Sequence, residues 1–307
     1  MNTNAVKDIP LSEATEACLA EPLSLAELNL LRQALNRSET IVDLRQAALR
    51  LLSDARYQNW LTEKRFQGCS FQVESTMAVA PVLHALGLIG ACGDLRVQIH
   101  LYRGKLFVTD TPSAPGNIQT YPWDDESDAI VGWLVQQSSW LDWADCTIDP
   151  MCGAGHHNIA LPSTVASRFS FDVNERSVAF TAINGLLNDV SICARSNDIR
   201  EDLVDAMALS GVRKDARILF MVNSPFGLSP LQGVLPLTSD GGETGAVLAK
   251  AAMKAISAFC QQYTQVRLCQ LVYTIGNPAT GSSAQESVLC LSGQRWPGAT
   301  GSDGCRL

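Results

Sequence analysis

Between residues 145 and 275 the chain alternates short strand-like apolar runs with segments of helical periodicity, a pattern that few folds accommodate. Strands are predicted at 145–149, 168–173, 190–195, 216–222 and 266–275, and helices at 155–166, 175–188, 199–210 and 242–262. Parallel strands need crossover connections of this kind, so the sequence predicts a mostly parallel sheet covered by helices on both faces. The predicted fold class is therefore α/β in three layers.

The chain ahead of this core is predicted to be helical. Ser24 and Glu27 have the spacing of a capping box. The leucines that follow lie on one helical face: Leu25, Leu28, Leu31 and Leu35. Residues 38–66 and 73–91 repeat the helical pattern. We therefore expect an N-terminal helical domain over residues 1–93.

A hairpin is predicted next. Apolar and polar residues alternate strictly over 95–101, and residues 106–108 have the composition of a partner strand. Arg103, Gly104 and Lys105 between them are typical of a tight turn. We expect a β-hairpin and linker over residues 94–125, followed by the α/β domain over residues 126–307.

Composition excludes two classes of partner. The chain has 23 Lys and Arg against 31 Asp and Glu, for a net charge of −8, and its basic residues are scattered, so we expect no nucleic acid partner. The longest apolar stretch, residues 77–93, includes Pro81 and His84. It is shorter than the roughly 20 residues that cross a bilayer, so we expect no membrane span.

The cysteines and the first twenty residues indicate whether the protein binds a metal and in which compartment it is found. The ten cysteines include no Cys-x-x-Cys pair and have no histidine at ligand spacing, so we expect no metal. The first twenty residues contain several charged side chains and no apolar run, so we expect no secretory signal. A cytoplasmic protein with reduced thiols follows as the expectation.

The segment from Asp149 to Gly155 reads Asp-Pro-Met-Cys-Gly-Ala-Gly and lies where the first predicted strand of the core ends and a helix begins. Glycines at such a turn let backbone amides approach a ligand closely. No Gly-Lys-Ser/Thr follows, which excludes a phosphate-binding P-loop, and Asn158 breaks the Gly-x-Gly-x-x-Gly spacing. A nucleotide phosphate and the carboxylate and amine of an amino acid both remain open as ligands.

Polar residues also follow the next three predicted strands of the core. Asp172 ends the second strand, Asn197 and Asp198 follow the third, and the fourth ends in Asn223-Ser224-Pro225-Phe226. Because the carboxyl ends of parallel strands meet at one edge of a sheet, we expect these side chains to surround a single binding site.

This order of motifs resembles the class I S-adenosylmethionine-dependent methyltransferases over residues 126–275. The resemblance implies a Rossmann-like core with S-adenosyl-L-methionine as its cofactor. It implies that the glycine loop holds the methionine end of the cofactor through Asp149, Cys152, Gly153 and Gly155. It also implies that Asp172 binds the ribose and that Asp198 meets the adenine, with the adjacent Asn197 counted among the cofactor-binding residues.

Single motifs resemble particular branches of that superfamily. Asp-Pro-Met-Cys-Gly is similar to the glycine loop of guanine-N2 RNA methyltransferases. The segments 172–178 and 240–245 resemble the glutamine-N5 methyltransferases of release factors, a group that the N-terminal helices and hairpin also suit.

Asn223-Ser224-Pro225-Phe226 resembles the Asn-Pro-Pro-Phe/Tyr motif of enzymes that methylate planar or amide nitrogens, which implies that these four residues are catalytic. Ser224 replaces a proline whose carbonyl accepts from the substrate amino group in that family. A serine keeps the carbonyl but loses the ring that stiffens it. A second departure is the short end of the chain, where only residues 287–291 are predicted to form a strand after residue 275.

Some of these residues also have simpler interpretations. Asp172 and Asp198 are of a type favoured at helix N-caps. His156 and His157 are expected to face a loop or the core, because nothing in the sequence places a carboxylate beside them. The tryptophans before the glycine loop are expected to be core residues, with Trp133 or Tyr121 lining the mouth of the site and contacting the substrate.

Three functions are compatible with the sequence. The first is methyl transfer to a nitrogen of a small molecule or of a protein side-chain amide, with the small molecule favoured. The second is a cyclase that uses the cofactor as its substrate: the α-amine attacks the γ-carbon, closes azetidine-2-carboxylate and expels methylthioadenosine. The third is a non-catalytic binding protein. A homodimer is compatible with each of them.

Overall fold

Residues 21–64, 70–111, 114, 119–120, 125–162, 164–165, 167–201, 203, 211–229, 235–274 and 285–292 are described by a computed structural model of the chain. The helices before the hairpin are α1 (Leu25–Ala34), α2 (Ser38–Leu52), α3 (Ala55–Asn59) and α4 (Ala80–Ala85), with a π-helical turn at Trp60–Lys64. The hairpin consists of β1 (Val97–Tyr102) and β2 (Lys105–Asp110), and the next helices are α5 (Asp125–Gln136) and α6 (Ser138–Trp143).

A six-stranded sheet forms the core. Its strands are β3 (Cys146–Asp149), β4 (Ser167–Asp172), β5 (Cys193–Ser196), β6 (Ile218–Val222), β7 (Val266–Thr274) and β8 (Gln285–Ser292). They lie in the order β5-β4-β3-β6-β7-β8, in which β8 is antiparallel to β7 and the other pairs are parallel. The chain runs outward from β3 to β5 and returns to the other side of β3 at β6, which makes the carboxyl ends of β3 and β6 the switch point of the sheet.

Helices cover both faces of this sheet, as the sequence predicted. The helices after β3 are α7 (His156–Ala160), α8 (Glu175–Leu187) and α9 (Val247–Phe259). Successive side chains of a strand point to opposite faces. Leu219 and Met221 of β6 accordingly belong to an apolar cluster with α5 and α6, whereas Phe220 belongs to a cluster that contains Phe259 of α9.

Local chemistry explains where several helices differ from their predicted bounds. The predicted helix over 38–66 is interrupted because the Asp54 side chain accepts from the Arg56 N–H at 2.8 Å and caps a new helix. The predicted helix over 155–166 ends at Ala160, since Leu161 precedes Pro162 and is extended. The predicted helix over 73–91 is reduced to α4, and residues 202 and 204–210 of the predicted helix 199–210 lie outside the described residues.

The capping box and the hairpin turn are confirmed. Ser24 Oγ accepts from the Glu27 N–H at 3.2 Å, and Glu27 Oε2 accepts from the Ser24 N–H at 2.7 Å. Arg103 and Gly104 form the two-residue turn with φ of +48° and +75°. Both values lie in the left-handed region that a type I′ turn requires.

Helix α8 covers the edge of the hairpin with two asparagine side chains. The Asn184 amide accepts from the Val108 N–H at 2.8 Å and donates to the Val108 carbonyl at 3.0 Å. Asn188, one turn later, pairs in the same way with Leu106 at 2.9 and 2.6 Å. The two amides thus pair the backbone groups that a free strand edge would expose.

One apolar cluster joins the N-terminal helices, the hairpin and α8. Its buried members include Leu28, Leu44, Ile99, Phe180 and Ile183. The predicted domain boundaries at residues 93 and 125 cross this cluster, so that division remains a prediction. Among the described residues, no helix combines the length and the apolar character needed to cross a membrane.

Candidate functional site

A cavity of about 630 Å³ lies at the carboxyl ends of β3, β4, β5 and β6. Its walls come from residues 150–154, 156–157, 172–174, 177, 197–200, 223 with 225–227, and the segment 237–248 that precedes and begins α9. Cavities of this volume hold small-molecule ligands. The structure therefore brings together residues from four strand ends.

The glycine loop is held in shape by its own backbone and by α8. Gly155 is the N-cap of α7 with φ of +84°, where a Cβ atom would lie 2.9 Å from the Thr181 side chain. Thr181 Oγ1 donates to the Gly153 carbonyl at 2.9 Å. Cys152 lines the cavity, and burial raises the pKa of its thiol well above the ordinary range, so the thiol is neutral. Only glycine fits at 155, because the turn is left-handed and closely packed.

Asp172 lies at the end of β4 with its carboxylate in the wall of the cavity. Its two oxygens each accept one backbone N–H, from Gly153 at 2.9 Å and from Asn174 at 2.9 Å. Burial raises the pKa of this carboxyl to about 6, and the nearby Asp149 carboxylate acts in the same direction. At neutral pH each oxygen of the ionised group still has a lone pair for a ligand donor.

The two polar residues after β5 differ in their availability. Asn197 lines the cavity, and its buried Oδ1 makes no hydrogen bond within the described part of the chain. Asp198 also lines the cavity, but it accepts from the Arg200 N–H at 2.9 Å and from Arg200 Nε at 2.8 Å. The Arg200 guanidinium lowers the pKa of Asp198. Asp198 therefore organises its own turn, whereas the Asn197 oxygen is an acceptor that a ligand can use.

The motif after β6 contributes three of its four residues to the cavity wall. Asn223, Pro225 and Phe226 line the cavity, whereas Ser224 is buried and is not among the lining residues. The loop before α9 holds the motif in place. Gly227 donates to the Ser239 carbonyl at 2.7 Å and accepts from the Gly241 N–H at 2.9 Å.

Two groups in the cavity wall escaped the sequence interpretation. His157 lines the cavity, and its Nδ1 lies 2.8 Å from Asp149 Oδ2. The expectation that no carboxylate lies beside this histidine was therefore wrong. Asp149 itself is fully buried and does not line the cavity. Thr238 lines the cavity with a buried Oγ1 that has no partner in the described ranges. Thr238 was not identified from the sequence, which indicated only the nearby segment 240–245, through its resemblance to the glutamine-N5 methyltransferases.

Of the two predicted substrate-binding aromatic residues, Trp133 lies away from the site and Tyr121 is outside the described residues. Trp133 belongs to the apolar cluster of α5 and α6 and meets Trp140 edge to face, with ring centroids 5.0 Å apart. It is not among the cavity-lining residues, so its predicted place at the mouth was wrong. Tyr121 lies outside the described residues. Within those residues, no cluster of three or more His, Cys, Asp or Glu side chains is arranged to hold a metal ion.

The strand order decides the fold. Five strands lie parallel in the order third, second, first, fourth and fifth of the core, an antiparallel strand follows the fifth, and the cavity lies at the carboxyl ends beside the first. The core is therefore a Rossmann-like α/β fold with an antiparallel edge strand.

Solved structures similar to this core share little sequence with it. The 16S rRNA methyltransferase of T. thermophilus, solved with AdoMet and guanosine, is 13% identical over 65% of this chain and 50% of its own, with a TM-score of 0.42. A tRNA methyltransferase of M. jannaschii is 15% identical over 57% and 43%, with a TM-score of 0.35. The magnesium protoporphyrin IX methyltransferase of Synechocystis PCC 6803, with bound SAH, is 15% identical over 51% and 58%, with a TM-score of 0.32.

The chain thus spans about half the length of these structures. No protein family matches the sequence, and no curated protein is similar to it. Identities and scores at this level carry no information about what this chain binds or does.

Proposed function

We propose that the chain is an S-adenosyl-L-methionine-dependent enzyme that transfers a methyl group to a nitrogen, with a small molecule as the favoured acceptor and a protein side-chain amide as the second. The observation that carries the proposal is the Asp172 carboxylate at the end of β4, a residue of the cavity wall whose oxygens accept two backbone N–H groups. A carboxylate at this strand end is the group that Rossmann-like folds use to bind ribose hydroxyls.

Several groups in the cavity fit the remaining parts of this cofactor. The unpartnered Asn197 Oδ1 supplies an acceptor for the adenine amino group. Cys152 and Gly153 border the space next to Asp172 for the amino-acid end. The cavity volume of about 630 Å³ leaves room for the cofactor and a small acceptor.

The cofactor supplies an already activated methyl carbon on a sulfonium, so the protein has mainly to position the acceptor. Asn223 lines the cavity, and its side-chain oxygen can accept an N–H of the attacking nitrogen. The Phe226 ring can pack against a flat acceptor or a cationic centre. Positioning of this kind accounts for several kcal/mol of a reaction barrier.

A small acceptor is favoured by charge. The chain has a net charge of −8, and Arg200, which lines the cavity, is already paired with Asp198. A polyanionic acceptor needs a basic surface to neutralise its phosphates.

The second candidate is the cyclase, which uses the α-amine of the cofactor as the nucleophile. It is favoured by the burial of Ser224, because the residue that replaces the family's proline does not line the cavity. In this reaction no second substrate enters, and Asn223 in the cavity wall can accept an N–H of the α-amine itself.

Two measurements test these proposals. Isothermal titration with S-adenosylhomocysteine tests the cofactor site: Asp172→Asn should weaken binding roughly ten- to a hundred-fold, because a charge-assisted hydrogen bond is lost. Asp215→Asn, at an exposed carboxylate far along the chain, should leave binding unchanged. A wild-type protein that fails to bind S-adenosylhomocysteine contradicts the proposed function.

Product analysis by mass spectrometry then separates the reactions. The purified protein is incubated with S-adenosyl-L-methionine alone and with a panel of amine and amide acceptors. S-adenosylhomocysteine that appears only with an acceptor supports methyl transfer. Methylthioadenosine that accumulates without an acceptor contradicts it and supports the cyclase. Asn223→Ala should reduce the turnover of either reaction at least ten-fold without changing the affinity for S-adenosylhomocysteine.

A further inference from the structure

A buried carboxylate fixes the orientation of a histidine in the cavity wall. Asp149 ends β3 and is fully buried, and its Oδ2 lies 2.8 Å from Nδ1 of His157 in the first turn of α7. Its other oxygen accepts from the Met151 N–H at 3.3 Å. A neutral imidazole in this arrangement donates Nδ1–H to the carboxylate, which leaves Nε2 without a proton and with its lone pair available.

That lone pair has no partner among the residues that the structure describes. His157 is 5% exposed, and its Nε2 is buried without a hydrogen bond to any described residue. The neighbouring His156 has a different partner, since its Nε2 lies 3.1 Å from Nε2 of His100. Buried polar atoms are nearly always paired, so an unpaired acceptor beside a cavity indicates a ligand donor. His157 lines the cavity and Asp149 does not, so the histidine is the member of the pair that borders the ligand space.

The charges around the cavity indicate a cationic donor. Asp149 lies directly behind His157, and the Asp172 carboxylate is in the same wall. Arg200, the one arginine or lysine among the described cavity-lining residues, is neutralised by Asp198. A region with this excess of negative charge stabilises an ammonium group more than a neutral donor.

We propose that His157 Nε2, oriented by Asp149, is the hydrogen-bond and proton acceptor for the α-amino group of the bound cofactor. The proposal rests on the proposed function, because it assumes that the cavity binds the cofactor. In the proton transfer an N–H bond of the ammonium breaks, its electron pair stays on nitrogen and an Nε2–H bond forms. The positive charge then lies on the imidazolium against the Asp149 carboxylate.

A thermodynamic cycle tests the contact. Isothermal titration measures the affinities of S-adenosylhomocysteine and of its deamino analogue, in which hydrogen replaces the amino group, for wild type, His157→Asn and His84→Asn. Asparagine at 157 can still donate to Asp149 and has no equivalent of Nε2. His84, which is exposed on α4, supplies the matched control.

Wild type and His84→Asn should prefer S-adenosylhomocysteine over the deamino analogue by ten-fold or more, and His157→Asn should lose that preference. If His157→Asn weakens both ligands by the same factor, or weakens neither, the proposal is overturned and His157 has a structural role only. Failure of the wild type to bind S-adenosylhomocysteine contradicts the proposed function instead, so the two failures are distinguishable.

A second measurement, nuclear magnetic resonance of the histidine ring nitrogens, tests the same contact in the wild-type protein. In protein labelled with ¹⁵N at histidine, the His157 Nε2 signal should start at the position of an unprotonated ring nitrogen and move toward that of a protonated nitrogen when S-adenosylhomocysteine is added. An Nε2 signal that does not respond overturns the proposal. Ring closure requires proton loss from the α-amine, whereas methyl transfer to another molecule does not. A shift as large as that of a fully protonated Nε2 therefore favours the cyclase over the methyltransferase.

Discussion

Replacement of Gly155 by alanine tests how the glycine loop is built. The residue has φ of +84°, and an added Cβ would lie 2.9 Å from Thr181 Cγ2, 3.0 Å from Ile159 Cδ1 and 3.1 Å from Thr181 Oγ1. Carbon atoms in good contact are about 3.5–4.0 Å apart, so the substitution forces either the loop or α8 to move. The affected loop borders the cavity, so a shift here also reaches the ligand site.

The expected cost has two parts. A left-handed backbone costs an alanine about 1–2 kcal/mol, and overpacking costs about 1–3 kcal/mol more. The reduced entropy of the unfolded chain offsets about 0.4–1 kcal/mol. We therefore expect Gly155→Ala to lower the free energy of unfolding by about 2–4 kcal/mol.

Gly104→Ala is the matched control, because Gly104 has φ of +75° and no atom within 4 Å of the added Cβ. This variant should show only the backbone part, about 0.5–1.5 kcal/mol. Urea unfolding followed by circular dichroism measures both values. Equal losses of stability in the two variants would refute the packing argument, since the contact with Thr181 and Ile159 would then cost nothing.

Thr181→Ser supplies a further check on the same contact. Serine removes Cγ2 and keeps the hydroxyl that donates to the Gly153 carbonyl. In the Thr181→Ser background, Gly155→Ala should cost less than in the wild type by about 0.5–2 kcal/mol, because contacting residues are not additive.

Three further predictions concern pH and packing. Burial raises the pKa of Asp172 from 3.8 to about 6, so the folded state holds a proton that the unfolded state has lost between those pH values. The free energy of unfolding of wild type relative to Asp172→Asn should fall by up to about 3 kcal/mol as pH rises from 4 to 6, measured by urea unfolding across that range, and a constant difference contradicts the assignment. The hydrogen bond from Arg96 lowers the pKa of Glu27 to about 2, and the Glu27 side chain is 41% exposed. Glu27→Gln should therefore lower the free energy of unfolding by no more than about 1 kcal/mol at neutral pH. This difference from the wild type should shrink as pH falls from 4.5 toward 2, because the ion pair is lost there. A difference that does not depend on pH argues against the ion pair. Leu28→Ala should lower the free energy of unfolding by about 2–5 kcal/mol in a single transition, because Leu28 is fully buried in the cluster shared with α8. Leu30→Ala, on the exposed face of α1, should change it by less than about 0.5 kcal/mol. Two separate transitions would show that the N-terminal helices unfold alone.

Sequence patterns predicted the type of most elements better than their ends. The predicted strand over 216–222 corresponds to β6, Ile218–Val222, because a continuous apolar run is typical of a central parallel strand. The predicted helix over 242–262 begins only at Val247, since Gly241 and Gly245 form a loop packed on the Phe226 backbone. A helical pattern does not show where a tertiary contact replaces helical hydrogen bonds.

The candidate site was predicted unevenly. Asp172 and Asn197 could be identified because each follows a strand in a regular βα alternation, and that topology places strand ends side by side. The interpretation of Trp133 as a residue of the mouth was wrong, because the side of α5 that meets the sheet is decided by packing with Trp140 and Leu219. Asp149 was expected to meet the ligand directly, whereas the structure places His157 between its carboxylate and the cavity.

Spacing along the chain was enough to establish the capping box, the hairpin turn, the α/β alternation and the order of the strand-end motifs, because each depends on residues within one element or on its immediate neighbours. The partner of His157, the burial of Ser224 and the cluster that joins α1 to α8 were decided only in the folded molecule. These contacts depend on the direction in which a side chain leaves its element and on which distant surface it meets. Neither is a property of local sequence, since close packing couples every buried residue to segments far away along the chain.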